Sequence, residues 1–244
     1  MEIHDDSTGT AVRLARPDEV SRLAHILAAA FESDPVLRWF IPSDDRWNRS
    51  SVGFFTWYTA RRIRNGTAYV AADYRGAALW DSPQHVHMTL SEQLSEAVIA
   101  TRVFGTTIGR ATRGNLLLKS HHPRFPHWYL HMIGVDAEAR GRGMGASLLR
   151  PVLARCDQDT IPAYLEATSP RNIRLYERHG FEIVEEVRIL VRQKRKGKVA
   201  PPPLASITGD RWLTLGLPRQ TRCSFDTVRP RVSCPMHSAR RLFS

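Results

Sequence analysis

The sequence contains little cysteine and no long apolar run. Its 244 residues include three cysteines, Cys156, Cys223 and Cys234, and no C-x-x-C pair. This scarcity argues against a disulfide framework and a zinc site. Because no stretch of about 18 uncharged apolar residues occurs and the first residues are acidic, we expect neither a transmembrane helix nor a secretory signal. The composition therefore predicts a cytoplasmic protein that does not bind membranes.

Excess positive charge is absent from most of the chain and concentrated at its end. The net charge is +11, but residues 192–244 carry twelve Lys and Arg against two Asp, which leaves +1 for the preceding 191 residues. We expect a flexible N-terminus over residues 1–9, one domain over residues 10–191 and a basic, Pro-containing tail over residues 192–244, disordered or aberrant. Binding to nucleic acid is expected only through this tail, because basic runs attract phosphates by counterion release.

Hydrophobic periodicity predicts alternating strands and helices. A helix is expected to begin at Pro17, because proline suits the first helical position. Strands are expected at residues 11–16, 67–72, 77–80, 128–135, 161–168 and 181–191, and helices at 46–64, 143–156 and 171–179. A late strand at 211–217 is an open possibility. The pattern predicts an α/β fold with a mixed, largely antiparallel central sheet and helices on both faces.

Six residues between a predicted strand and a predicted helix form a candidate anion-binding turn. They are Arg140, Gly141, Arg142, Gly143, Met144 and Gly145. Glycines allow the backbone to approach an anion closely, and the first helical turn offers unpaired N–H groups. Arginines supply matching charge. The turn is therefore a candidate phosphate site.

Two nucleotide-binding interpretations fit this turn. Gly141, Gly143 and Ala146 match the dinucleotide fingerprint of an NAD(P)-binding Rossmann protein, with Glu166 as a candidate ribose-binding acid. The alternative is a pyrophosphate loop for coenzyme A. Four residues separate the strand from the glycines, and no upstream repeat of the strand, turn and helix occurs. Both features favour coenzyme A.

Several motifs together resemble the GNAT superfamily of acetyl-CoA-dependent N-acetyltransferases. They are the segment 127–135, the Arg-Gly turn, the segment 164–168 and the segment 172–181. The start of the chain, from residues 12–15 through 28–31, is also similar to the puromycin N-acetyltransferase branch. The resemblance covers roughly residues 10–190 and implies a GNAT-like fold with acetyl-CoA as co-substrate and no metal.

The resemblance implies roles for residues along the cofactor path. Backbone N–H groups of residues 142–145 would hold the pyrophosphate, and the side chains of Arg140 and Arg142 would add charge. Asn172 would bond the pantetheine arm. Backbone N–H groups of Ile133, Gly134 and Val135 would stabilise the oxyanion, and Gly134 would permit an irregular strand there.

Two side chains are candidates for proton transfer. Glu166, near the end of a strand, is the candidate base that deprotonates the amine; the alternative is a carboxylate that caps the next helix or pairs with Arg171. Tyr176 is the candidate acid for the departing thiolate, on the same helix face as Asn172. The alternative for Tyr176 is a packing role.

The acceptor is expected to be a primary amine on a small molecule, such as an aminonucleoside, with protein amino groups as an alternative. Aromatic residues in the first third could line its site, although two-thirds of them are expected in the core. They are Trp39, Phe40, Phe54, Phe55, Trp57 and Tyr58. The histidines around residues 85–87, 121–122, 127 and 131 are expected to be surface or core residues rather than metal ligands.

Another class of function is also compatible with the sequence. A GNAT fold without turnover, whose basic tail binds nucleic acid, would be a binding module. The resemblance also implies a final strand that closes the sheet after a Gly-Pro turn. In this sequence Lys194 to Lys198 stand in place of that turn, so the sequence leaves open whether the sheet is closed.

Overall fold

The computed structural model describes residues 11–188 and 211–216, the latter segment as backbone only. The strands are β1 (Val12–Leu14), β2 (Ala68–Ala71), β3 (Gly76–Asp81), β4 (Trp128–Val135), β5 (Ala163–Ala167), β6 (Glu182–Arg188) and β7 (Arg211–Gly216). The α-helices are α1 (Val20–Ala30), α2 (Pro35–Phe40), α3 (Asp44–Arg64), α4 (Leu90–Phe104), α5 (Ile108–His121), α6 (Met144–Asp159) and α7 (Pro170–Arg178).

The strands form one sheet in the order β1-β2-β3-β4-β5-β7-β6. Every neighbouring pair is antiparallel except β4 and β5, which are parallel. The largely antiparallel sheet is therefore confirmed. The Rossmann alternative is wrong for the described part of the chain, because a dinucleotide-binding sheet is mostly parallel.

The two faces of the sheet carry separate apolar cores. One core packs α1 and α3 against the sheet, with Leu27 and Phe55 fully buried. The other packs α6 and α7 against the opposite face, with Leu148 fully buried and Tyr176 largely so. Helices thus cover both faces, as predicted. Among the described helices, none is both long and apolar enough to cross a bilayer.

Local signals set several helix boundaries. Asp34 accepts hydrogen bonds from the first N–H groups of α2, and Ser43 caps α3. Thr89 and Glu92 form a capping box at the start of α4, and Gly105 ends that helix at φ +50°. The helical segment after Thr89 is therefore divided into α4 and α5 near Gly105, where glycine allows the turn.

A buried ionic network fixes α3 to the sheet. Nη1 of Arg61 lies 2.6 Å from one oxygen of Asp81, and Nη2 of Arg62 lies 2.5 Å from the other. Arg61 also contacts Glu92 of α4 at 2.9 Å. Because buried charges are tolerated only when paired, this network couples α3, β3 and α4.

The segment predicted as a tail contributes to the sheet. Residues 211–216 form β7, which pairs with β5 and with β6. The late strand left open at 211–217 is therefore present. The predicted flexible N-terminus over residues 1–9, and the rest of the predicted tail, lie outside the described residues.

Candidate active site

The candidate anion-binding turn lies directly before α6. Gly141 and Gly143 have φ values of +78° and +82°, a region that side chains disfavour. A Cβ atom added at either position would meet nothing within 4 Å. Gly143 is the N-cap of α6 and supplies no side chain to bond the first N–H groups. The turn therefore has the left-handed backbone, the free space and the unpaired donors that an anion requires.

The two arginines of the turn differ. Nε of Arg140 donates to the carbonyl of Val135 at 3.2 Å, and Nη2 donates to the carbonyl of Ala30 at 3.3 Å. Arg140 therefore ties the turn to the ends of β4 and α1. Arg142 is exposed, and its side chain has no hydrogen bond to another described residue. Arg142 is the arginine better placed to meet a phosphate.

Gly145 allows α6 and α7 to approach each other at the turn. A Cβ atom at Gly145 would lie 2.9 Å from Cδ2 of Leu175. Since Met144 beside it is buried, the start of α6 is fixed by packing on both sides. This packing holds the donors of the turn in place.

The parallel strands β4 and β5 pair only at their start. Three residue pairs are formed, ending at Leu130 and Leu165, although β4 continues to Val135 and β5 to Ala167. We call the gap beyond these pairs the strand opening. Ile133, Gly134 and Val135 lie along it on β4, and Glu166 is the first residue beyond the pairs on β5.

The irregularity in β4 lies earlier than expected. Leu79 and Trp80 of β3 oppose Met132 and Leu130, so His131 is the extra residue of a β-bulge. Gly134 is instead regularly paired with Ala77. The prediction of an irregular strand at Gly134 is wrong. Glycine is needed at this position for another reason, because a Cβ there would lie 2.8 Å from Cβ of Ala30 in α1.

The Glu166 side chain is held by two partners at the strand opening. The hydroxyl of Tyr129 donates to Oε2 at 2.7 Å. Nε2 of His122 lies 2.8 Å from Oε1, at ion-pair distance but outside hydrogen-bond alignment. Burial, with the Glu166 charge as a second cause, raises the pKa of Tyr129 well above its usual range. The phenol therefore stays protonated as a donor to the carboxylate.

His131, the bulged residue, is buried against an aromatic ring. Its imidazole stacks on Tyr58 with a centroid distance of 4.7 Å. Both ring nitrogens are buried without a hydrogen-bond partner in the described part of the chain. Burial, reinforced by Arg62 and Arg61, lowers the pKa of His131 well below its usual range. The ring is therefore neutral near pH 7.

The predicted acceptor aromatics belong mainly to the core. Phe40, Phe54, Phe55 and Tyr58 are buried, whereas Trp39 and Trp57 are half-buried and pack against that core. Tyr58 reaches the strand opening through its stack on His131.

Tyr176 and Asn172 lie on α7 in different environments. The Tyr176 side chain is 4 % exposed and its ring packs 6.0 Å from that of Phe181. Burial, and secondarily the charge of Asp34, raise the pKa of Tyr176. Asn172, one turn earlier, is exposed. The phenol is therefore protonated and buried, while the amide is available to a ligand.

Asp34 is a site residue that the sequence reasoning missed. One carboxylate oxygen caps α2, accepting from the N–H groups of Val36 and Leu37 at 3.0 and 2.9 Å. The other accepts from the Thr168 hydroxyl at 2.5 Å. Burial raises the pKa of Asp34, although these hydrogen bonds oppose the shift. A second carboxyl group thus reaches the end of β5.

His122 is the other missed neighbour, and only the fold brings it to Glu166. Among the described residues, no group of three or more His, Cys, Asp or Glu side chains is placed to hold a metal ion. The single described cysteine, Cys156, is buried in α6, and burial raises its pKa to about 12.

The part of the chain that contains this site is similar to known acetyltransferases. Residues 80–181 match the acetyltransferase (GNAT) family model. An uncharacterised N-acetyltransferase of Schizosaccharomyces pombe is 24% identical over 197 residues, covering 76% of this chain and 79% of that protein. Mycothiol acetyltransferase of Acidothermus cellulolyticus is 34% identical over 84 residues, covering 33% of this chain and 24% of that protein.

The fold is likewise similar to a solved acetyltransferase structure. It is described as histone acetyltransferase HPA2 and related acetyltransferase from Corynebacterium glutamicum. The TM-score is 0.56 and the identity 25%, with coverage of 85% of this chain and 94% of that chain. Residues 80–181, which match the family model, contain the turn, the strand opening and Glu166. The match over residues 80–181 and the relatives named as N-acetyltransferases indicate an acyltransferase that is similar to the GNAT acetyltransferase family.

Proposed function

We propose that this chain transfers an acetyl group directly from acetyl-CoA to a primary amine of a small molecule. The observation that carries the proposal is the position of Glu166. This carboxylate is the first β5 residue beyond the last pair with β4, at the strand opening that also borders Ile133–Val135. The anion-binding turn follows β4 in the chain, so cofactor and base would meet at one opening.

The turn supplies the contacts for the diphosphate of acetyl-CoA. Backbone N–H groups of residues 142–145 would hold the diphosphate beside the open space at Gly141 and Gly143, and Arg142 would add charge. Arg140 acts mainly by fixing the turn to Val135 and Ala30. Exposed Asn172 would bond the pantetheine arm, and backbone N–H groups within Ile133–Val135 would polarise the thioester carbonyl.

Glu166 is the proposed base. An ordinary amine is protonated near pH 7 and must lose a proton before it can attack a carbonyl. The carboxylate has one oxygen fixed by the Tyr129 hydroxyl, which leaves lone pairs on the carboxylate for the ammonium proton or for an intervening water.

Tyr176 is the proposed hydrogen-bond donor to the leaving sulfur. A thiol has an ordinary pKa of about 8.5, below that of a phenol. Because burial raises the Tyr176 pKa further, complete proton transfer to the thiolate becomes less favourable. The hydroxyl therefore contributes mainly by hydrogen bonding, and we expect a smaller effect from its loss than from loss of Glu166.

The acceptor class rests on the start of the chain. Residues 12–31 resemble the puromycin N-acetyltransferase branch, which favours an amine of the aminonucleoside type. The half-buried Trp39 and Trp57 are the aromatic residues of the predicted set that retain exposed surface, and an aromatic amine could contact them.

Thiol release tests the proposal. The purified chain would be incubated with acetyl-CoA and a panel of amines, including an aminonucleoside, an arylalkylamine, a polyamine and a peptide N-terminus. We expect free thiol to form only when an acceptor amine is present, and calorimetry to show binding of acetyl-CoA but not NADH. Binding of NADH alone, or thiol release that no amine increases, would refute the assignment.

A further inference from the structure

His122 lies against the proposed base, although it is far from it in sequence. It is the C-cap residue directly after α5. Its Nε2 is 2.8 Å from Oε1 of Glu166. The imidazole packs against two rings of the sheet, with centroid distances of 4.6 Å to Tyr129 and 4.9 Å to Tyr164. The helix end and two strands therefore fix its position.

The two groups differ in their access to water. The Glu166 side chain is 6% exposed and the His122 side chain is 18% exposed. A proton bound by Glu166 is therefore screened from solvent, whereas the imidazole next to it reaches the surface. A buried base must lose the proton it has taken before it can act again, so this outward step matters for turnover.

The other partner of Glu166 cannot serve this purpose. Tyr129 donates its own proton to Oε2, and its raised pKa keeps that proton on the phenol. An imidazole, by contrast, gains and loses a proton near neutral pH. Of the two described side chains that contact the carboxylate, His122 is the one able to take the proton away.

The charged and titratable groups around His122 come from several elements. His127 precedes β4 with its ring 6.0 Å away, and burial lowers its pKa. His121, in the last turn of α5, lies 3.7 Å from Glu185 of β6 through its own Nε2. Further neighbours are Tyr129, Tyr164 and Glu166, and the buried His131 also interacts electrostatically with His122. Glu166 is thus the carboxylate nearest to the His122 imidazole among these neighbours.

We infer that His122 is a positioning residue that accepts from Glu166 the proton taken from the acceptor amine and releases it to solvent. This inference rests on the proposed function. An N–H bond of the ammonium breaks, its electron pair stays on nitrogen, and the proton bonds to Glu166. The new O–H bond then breaks as the proton bonds to Nε2 of neutral His122. The imidazolium finally gives a proton to water, which restores the neutral ring and the carboxylate.

Two substitutions separate proton transfer from geometry. His122→Ala removes the imidazole, and His122→Gln retains a polar group near Oε1 that cannot carry a proton at neutral pH. We expect both to lower kcat about 10-fold or more, with little change in the KM for acetyl-CoA. Added imidazole should restore part of the activity of the alanine variant, because a diffusing base can occupy the cleared space.

The adjacent histidine provides a matched control. His121 lies at the same helix end, but its Nδ1 bonds the Leu117 carbonyl at 2.7 Å and its Nε2 lies 3.7 Å from Glu185 instead of Glu166. His121→Gln should keep the activity of the unaltered enzyme. Circular dichroism of every variant identifies losses that come from unfolding, and the glutamine variant preserves a test if the alanine variant does not fold.

Two results would overturn proton transfer through His122. One is a glutamine variant as active as the unaltered enzyme, and the other is a folded alanine variant whose activity imidazole does not restore. Failure of the proposed function is distinct, because then Glu166→Gln would be fully active whatever His122 does. A readout without substrate is the ¹⁵N resonance of His122 Nε2, which should shift in Glu166→Gln; an unchanged resonance would contradict the contact.

Discussion

The candidate anion-binding turn and the Glu166 site are built in opposite ways. The turn is exposed, its shape comes from glycines at positive φ, and the space beside Gly141 and Gly143 is empty. Glu166 is largely buried, and its two carboxylate oxygens face partners from β4 and from the end of α5. The turn therefore offers open space to a ligand, whereas neighbouring side chains hold Glu166 in place.

This contrast suits the roles proposed for the two regions. An anion is bound by unpaired backbone donors and needs room, so side chains there would interfere. A proton acceptor must be held at a fixed position, and its charge must be supported in a partly buried site. We therefore expect changes at Glu166 to affect the reaction, and changes in the turn to affect binding.

Replacing Glu166 should give the largest effect. Glu166→Gln keeps the size of the side chain but removes the base, so kcat/KM for the amine should fall roughly 10²-fold or more. Calorimetry should show that acetyl-CoA binds as before. The control is Glu138→Gln, an exposed glutamate near the turn, which should behave like the unaltered enzyme. Equal activity of the two variants would remove Glu166 from the reaction.

Removing the Tyr176 hydroxyl should also slow the reaction, but by less than replacing Glu166. Tyr176→Phe should lower kcat about 10-fold, because a hydrogen bond to the leaving sulfur is lost while the buried ring remains. Tyr69→Phe is the matched control, since Tyr69 is buried in the same apolar core. If Tyr176→Phe turns over normally while acetyl transfer limits the rate, Tyr176 is only a packing residue.

A methyl group in the turn should weaken binding rather than chemistry. Gly143→Ala forces a side chain to φ +82°, which costs about 1–2 kcal/mol, and places a methyl in the open space. We expect acetyl-CoA to bind about 10-fold more weakly, as measured by calorimetry. Gly53→Ala is the control: Gly53 lies within α3 with nothing near its added Cβ, and alanine there should slightly stabilise the fold. Unchanged affinity in Gly143→Ala would contradict the role of the turn.

The buried histidines should make stability depend on pH. Burial lowers the pKa of His127 and His131, so below about pH 6.5 the unfolded chain binds more protons than the folded chain. Their contribution to stability is present above that pH and is lost as the pH falls. Denaturant unfolding at pH 7, 6 and 5 should show decreasing stability, with a weaker dependence in His131→Phe, whose ring keeps the stack on Tyr58. An identical slope in that variant would exclude His131 as a cause.

Local patterns in the sequence were sufficient to predict part of this architecture. The turn at 140–145 was predicted from residues adjacent in the chain, and it lies between β4 and α6 with Gly141 and Gly143 at positive φ. The sheet type and the helices on both faces likewise follow from periodicity over short segments. The functional roles assigned to Glu166, Tyr176 and the turn are predictions that the variants above test.

The rest depends on contacts between distant segments. Asp34 and Thr168 are 134 residues apart along the chain, and His122 meets Glu166 only because the end of α5 packs beside β5. No local motif marks these residues. At Gly134 the residue type suggested an irregular strand, yet glycine is needed there because α1 packs closely on that face of the sheet. The spacing of residues in the sequence does not encode this contact.

A crystal structure of the chain with bound coenzyme A tests the central claim most directly. We predict that the diphosphate contacts the backbone N–H groups of residues 142–145 and that the pantetheine arm enters the opening between β4 and β5, with its sulfur near Tyr176 and Glu166. A structure in which coenzyme A binds elsewhere and leaves the turn empty would contradict the account.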